Sequence, residues 1–316
     1  MLNKGGNLIA GKQFTDLTKA GALKDSDIIA VHDGTGLKKG PLSQLVDYLG
    51  TKFSNPNLLI NPDFRINQRW KSEYAYQTSD VTQYTVDRFR VVFLNVKTAS
   101  DGLILNANGA NAGGGYISQV LEDAVEGDTI LSFKVSGVVG NIEFGNLNSA
   151  DDGKKLSVSS DGTYTVKGNN TKKVIAHLLK GSSCKIEWIK LEQGSIATPF
   201  VASNHTEELM KCKRFFYRAP KALLAYGINA GLYIKLTEVM NMRGEGTVAI
   251  VGAGNDNILR YEGNAKEIHF DESKCTASIA DGYIKVTLSP SNNLTNSKVV
   301  ALDLNSVAIT IDAEIY

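Results

Sequence analysis

Cysteine and proline are scarce in this sequence, at 3 and 6 of 316 residues. Cys184, Cys212 and Cys275 are odd in number and widely spaced, which fits neither a disulfide framework nor a zinc site. They read as buried, reduced thiols of a protein made in the cytoplasm. An excess of either sign of charge is missing as well: 34 Lys plus Arg against 33 Asp plus Glu leave a net charge of +1. No global field exists to draw nucleic acid or an anionic membrane, so neither is an expected partner. Nowhere do 18 apolar residues run together, and MLNKGGNLIAGKQF at the start has no sustained apolar stretch. The expectation is a soluble chain without a membrane span or secretory signal, in which Asn169, Asn204 and Asn293 match the glycosylation pattern by chance.

Enzyme motifs are missing too. There is no HExxH, GxSxG or GxxxxGK[ST], and His32, His177, His205 and His269 are scattered singly. Gly34 to Gly40, GTGLKKG, has the wrong glycine spacing for a dinucleotide loop and reads as a turn. Asp87, Glu187 and Glu192 are the carboxylates to weigh for glycosidic chemistry, which needs a pair flanking the bond. Asp87 sits beside Arg88 and reads as half of a brace, and Glu187 and Glu192 as structural or surface residues. No catalytic residue, cofactor or metal is expected.

What the chain does have is glycine, 30 residues of it, and short apolar or alternating runs between Gly, Asp and Asn turns. The length exceeds one compact sandwich and predicts a mainly β protein in several parts. Residues 1–53 form a small α/β segment: a strand over Ile28–Val31, then a helix with Pro41 at its first position and an apolar stripe of Leu42, Leu45, Val46 and Leu49. So small a unit buries too little to stand alone, so the stripe is expected to pack on sister chains or a larger assembly. Residues 54–203 read as about eight strands of an antiparallel sandwich, from YTVDRFRVVF at Tyr84 to CKIEWIKLEQG at Cys184. Residues 204–218 predict a connecting helix, with Asn204 and Glu207 at capping-box spacing. Residues 219–316 return to β, as a C-terminal antiparallel domain.

Sugar recognition needs aromatic faces for C–H surfaces and amides or carboxylates for hydroxyls. Two stretches hold both. RWKSEYAYQTSDVTQY offers Trp70, Tyr74 and Tyr76, with Tyr84 at its end, against the alternative that Trp70 and Tyr84 pack on the sandwich or a neighbouring chain. GNDNILRYEGN offers Asn255, Asp256, Asn257, Arg260 and Tyr261, against the alternative of a plain hairpin turn.

NLLINPDFRINQRW at Asn57–Trp70 and IEWIKLEQGSIATPF at Ile186–Phe200 together resemble the two ends of one known module. This is the jelly-roll β-sandwich, similar to carbohydrate-binding modules, of phage tail-fibre and related receptor-binding proteins. VDRF at Asp87, EELMKCKRFFYR after the sandwich, MRGEGTV at Met242 and the terminal IDAEIY stand where that family has comparable segments, and residues 1–53 resemble its virion-attachment adaptor. Lys213, Phe215, Phe216, Glu245 and Gly246 depart from the family pattern. The resemblance implies a non-catalytic homotrimer, assembled in the host cytoplasm and carried on the virion. Its first segment would attach to a tail or baseplate protein, and its distal domain would meet a host-surface glycan. A structural virion component, such as a head fibre, collar or baseplate decoration, is the rival reading, and a glycan depolymerase the third.

Overall fold

In this computed structural model the described residues are 24, 26–32, 35–50, 52–75, 83–109, 113–219, 222–228, 231–235, 242, 247–252, 257–260, 267–270, 276–280, 283–287, 298–303 and 307–314. The chain divides into two compact units, Met1–Ser54 and Asn55–Tyr316. It is mainly β, with antiparallel pairing throughout and two helices among the described residues.

In the first unit β1 (Ile28–His32) and β2 (Leu37–Pro41) form a hairpin that leads directly into α1 (Leu42–Gly50). Pro41 closes the strand, opposite Ile28, and the helix starts one residue later than the sequence predicts. Leu45, Val46, Tyr48 and Leu49 are exposed and Leu42 is partly so.

The second unit begins with the sandwich: β3 (Glu73–Tyr74), β4 (Gln83–Tyr84), β5 (Arg90–Val92), β6 (Asn95–Ala99), β7 (Gly102–Asn106), β8 (Gly115–Val139), β9 (Ile142–Leu147), β10 (Gly153–Val158), β11 (Gly162–Leu178) and β12 (Ser183–Gln193). Its connectivity turns on two long strands. The first part of β8 pairs with β5 and with the end of β11, and its last part pairs with β12 and with the start of β11. The register slips around Thr171, where β11 passes between the two leaves. Each of these strands reads from sequence as two, because the crossing stretch of β8 holds exposed Asp123, Glu126, Gly127 and Asp128, which look like a turn. Tyr84 to Phe93 likewise reads as one strand but is interrupted. Arg88 is left-handed at φ 74, and no ladder continues through such a residue.

Alternation along the strands fills the space between the leaves. Phe133 of β8 stacks on Phe144 of β9 from the opposite leaf, with ring centroids 3.6 Å apart. Leu103, Leu105, Val135, Ile186 and Leu191 complete a core that is almost fully withdrawn from water.

After the sandwich comes α2 (His205–Lys213), whose N-cap Asn204 accepts hydrogen bonds from the amides of Thr206 and Glu207. The sequence extends this helix to Arg218. It stops earlier because Phe216, Tyr217 and Arg218 form β13 (Phe216–Arg218), which pairs with a strand from the end of the chain. The remaining strands are β14 (Ala222–Ile228), β15 (Gly231–Lys235), β16 (Thr247–Gly252), β17 (Asn257–Arg260), β18 (Glu267–Phe270), β19 (Thr276–Ala280), β20 (Tyr283–Thr287), β21 (Lys298–Asp303) and β22 (Val307–Asp312). β13, β22 and β16 make one small sheet; β19, β20, β15, β14 and β21 make a second; β17 and β18 pair alone.

Candidate functional site

The segments singled out by sequence meet in space. Asn57 of the opening segment donates from Nδ2 to the carbonyl of Ile189 at 3.0 Å, and its Oδ1 accepts from the amide of Leu191 at 3.1 Å. Leu58 adds a backbone bond to Leu191 at 2.8 Å, so the start of the module lies along β12, its last strand. Asn61, fully buried and left-handed, ties the next turn together by donating to the carbonyls of Ile66 and Asp87.

A second convergence joins the sandwich to the end of the chain. Asp87 is fully buried and accepts from the backbone and side-chain amides of Gln68, whose Nε2 also donates to the carbonyl of Phe216. Arg69 lies 3.9 Å over the Phe216 ring and reaches Asp87, Asp312 and Glu314 at 3.3–3.5 Å. Arg88 is 2 % exposed, pairs with Glu314 at 2.7 Å, donates to the Val120 carbonyl, and lies 3.6 Å over Phe215. Burial pushes the Asp87 carboxyl up to about 7, against the opposing pull of Arg69 and Gln68. This is a structural joint: Asp87, Arg88 and Glu314 are sealed from solvent, with Arg69 and Asp312 at its edge.

The closing segment braces itself. Trp188, Lys190 and Glu192 of β12 point away from the core, and the chain folds back over them. Phe200 stacks on Trp188 at 4.7 Å with the rings nearly parallel. Lys190 donates to the Thr198 hydroxyl and the Pro199 carbonyl, and Glu192 accepts from the Thr198 amide at 2.9 Å. Glu192 is fully buried and Glu187 is paired with Lys134 at 2.7 Å. Both do structural work here.

The sugar-binding candidates separate. Tyr74 is 2 % exposed, with its hydroxyl donating to the Thr85 carbonyl at 2.8 Å, so its ring belongs to the core; Tyr84 is buried as well. Tyr76, Asn255, Asp256 and Tyr261 lie outside the described residues, and Asn257 and Arg260 are the two ends of β17. Trp70 differs from all of these. It is 62 % exposed, holds a left-handed backbone at φ 56, and carries the Arg218 guanidinium 4.0 Å over its ring. A large side chain in that conformation is strained, and an exposed one recovers nothing through core packing. Arg218 comes from β13, so the indole is set at the seam between the sandwich and the terminal sheet.

Sequence reasoning missed an open cleft of about 630 Å³ lined by Ala124, Glu126, Gly127, Asn148, Ser149, Ala150 and Asn170. Its residues come from the crossing stretches of β8 and β11 and from the β9–β10 turn, and include no aromatic ring. Among the described residues no group of three His, Cys, Asp or Glu side chains is placed to hold a metal ion. Cys184 and Cys212 are buried and unbridged, and burial pushes the Cys184 thiol up to about 12, far from the reactive thiolate range.

No family model and no curated protein matches the chain. Solved structures do. A family 29 carbohydrate-binding module is 13% identical, covering 42% of this chain and 99% of its own, at a TM-score of 0.26. The CBM22-1 xylan-binding domain from Paenibacillus barcinonensis Xyn10C is 12% identical, covering 45% of this chain and 98% of its own, also at 0.26. An exo-β-agarase is 10% identical over 75% of this chain and 44% of its own, at 0.28. Likeness at these scores says nothing about what this chain binds.

Proposed function

We propose that the chain is a phage tail-fibre or receptor-binding protein that attaches the virion to a host-surface glycan by binding, without catalysis. In this reading it is a homotrimer held to the tail or baseplate through residues 1–53. The observation that carries the reading is Trp70. An exposed indole, strained at its backbone and backed on one face by a cation, has the form of a stacking platform for a sugar ring. Two things support it further. The residues behind the family resemblance are those that assemble this fold: Asn57 against Leu191, Asp87 with Gln68, and Lys190 and Glu192 with Thr198. Of the three carboxylates weighed for glycosidic chemistry, Asp87 and Glu192 are fully buried, which leaves Glu187, paired with Lys134, without a second carboxylate from that set to flank a glycosidic bond.

The test is binding of the purified full-length chain and of Trp70→Ala to an array of bacterial surface polysaccharides. The expected result is binding that the substitution weakens by about ten-fold while thermal unfolding stays unchanged. A chain that binds no glycan yet still assembles on virions is a structural virion component, and release of reducing ends from a bound glycan would make it a depolymerase.

A further inference from the structure

We propose that the cleft at the corner of the sandwich is a second saccharide subsite, built for an uncharged hexose or N-acetylhexosamine; this rests on the reading of the chain as a glycan-binding protein. The cleft lies where β8 crosses between leaves. Ala124, Glu126 and Gly127 supply one wall, the β9–β10 turn supplies Asn148, Ser149 and Ala150, and the irregular middle of β11 supplies Asn170. Its space of about 630 Å³ is wide open rather than enclosed, so a ligand there keeps much of its surface in water.

Its polar groups are already oriented. Asn148 Oδ1 accepts from the amides of Ala150 and Asp152 at 2.9 and 3.1 Å, and Asn170 Oδ1 accepts from the amide of Gly127 at 2.9 Å. Backbone N–H groups can only donate, so they settle which amide atom is the oxygen and leave each Nδ2 as the donor for a ligand. Glu126 adds a carboxylate acceptor and Ser149 a hydroxyl that serves either way. Beneath the cleft Asn146, Thr129 and Thr171 bond to one another, all 1 % exposed or less, and hold the three segments in place.

With no aromatic face to stack on, the cleft can hold a sugar only through its hydroxyls, and fixed amide donors beside a carboxylate match their alternating donors and acceptors. Other ligands fit poorly. No Lys or Arg lines the cleft to meet a phosphate or a uronate; Asp128 nearby adds negative charge, while Asp151 is paired with Lys173. Two alanines are its only apolar side chains, too little to anchor a peptide or a lipid.

The experiment is a titration of isotope-labelled protein with methyl glucoside, N-acetylglucosamine and glucuronate at millimolar concentration, read on the side-chain amide signals of Asn148 and Asn170 and on the Trp70 indole. The two neutral sugars are expected to shift both amides and glucuronate to leave them unmoved. Ala150→Trp, in an exposed turn, fills the cleft and should weaken those shifts about ten-fold. Glu126→Gln, on the exposed bend, should weaken them several-fold, whereas Trp70→Ala should leave them as they are. A shift confined to the Trp70 indole overturns the cleft but not the glycan-binding reading. Silence at every signal overturns the cleft and counts against the Trp70 platform as well, and amide shifts that survive Ala150→Trp overturn the cleft alone.

Discussion

Arg88 donates to Glu314 at 2.7 Å across 226 residues of sequence, with neither side chain more than 1 % exposed. Both charges are sealed, and each replaces much of what it gave up to water through the other, with the Val120 carbonyl beside Arg88, and the Arg88 amide and Arg69 beside Glu314. Removing one partner strands the second, at a cost of about 3–5 kcal/mol, whereas replacing both with apolar groups of similar size comes close to neutral. Glu314→Ala is therefore expected to lower the denaturation midpoint sharply, and Arg88→Met with Glu314→Leu to recover much of the loss. Equal losses in the single and double variants would show that the pair does not act as a unit.

Asp87 makes stability depend on pH in an unusual direction. Its folded pKa, at about 7, lies above the ordinary carboxylate value of 3.8. In the window between them the folded chain holds a proton that the unfolded chain has released. Stability from this group is thus fully present below about pH 4 and is lost as pH rises to about 7, a change of up to roughly 4 kcal/mol. Urea unfolding of wild type and Asp87→Asn at intervals from pH 4 to 7 should show a falling midpoint in the first and a flatter one in the second. Matching slopes would place the pH dependence elsewhere.

The fold-back of the closing segment predicts a local optical signal. Thr198→Val takes the hydroxyl from buried Lys190 and Glu192 and should cost about 1–3 kcal/mol. Phe200→Ala uncovers Trp188, so in a Trp70→Phe background the remaining tryptophan emission should move to longer wavelength while far-ultraviolet circular dichroism holds. Unchanged emission would mean that Phe200 does not shield that ring.

These joints also show what could be read from the sequence and what could not. The alternating runs gave most of the strands, and Asn204 gave the start of α2, because both signals are local. The end of that helix was not local. Phe216 and Tyr217 are apolar residues that suit a helix or a strand, and β22, almost a hundred residues later, decides between them. The crossing stretches of β8 and β11 looked like turns because their residues face solvent between two leaves, an environment that only the assembled sandwich creates. From sequence Trp70 and Tyr74 are equal candidates, with packing of Trp70 on the sandwich or a neighbouring chain as the alternative; Trp70 is exposed and Tyr74 lies in the core, a difference of orientation that composition does not encode. The corner cleft left only a faint trace, the Asn and Gly residues at 127, 148 and 170, which also serve ordinary turns.

The exposed apolar residues of α1 bear on assembly. Leu45, Val46 and Leu49 are 39–42 % exposed and Tyr48 is 59 % exposed, on a helix of nine residues that cannot be stable on propensity alone. Such a helix keeps its shape by burying its apolar face, and a second and third copy of the same helix offer a matching surface under threefold symmetry. Light scattering of the full-length chain should then give three times the 34.1 kDa chain mass, and Leu45→Glu with Leu49→Glu should return it to the mass of one chain. The main thermal transition should persist in that variant, because the sandwich core lies in the other unit. If the variant stays trimeric, assembly is driven from elsewhere in the chain; if the wild type is monomeric at micromolar concentration, the stripe does not serve to bring copies of this chain together.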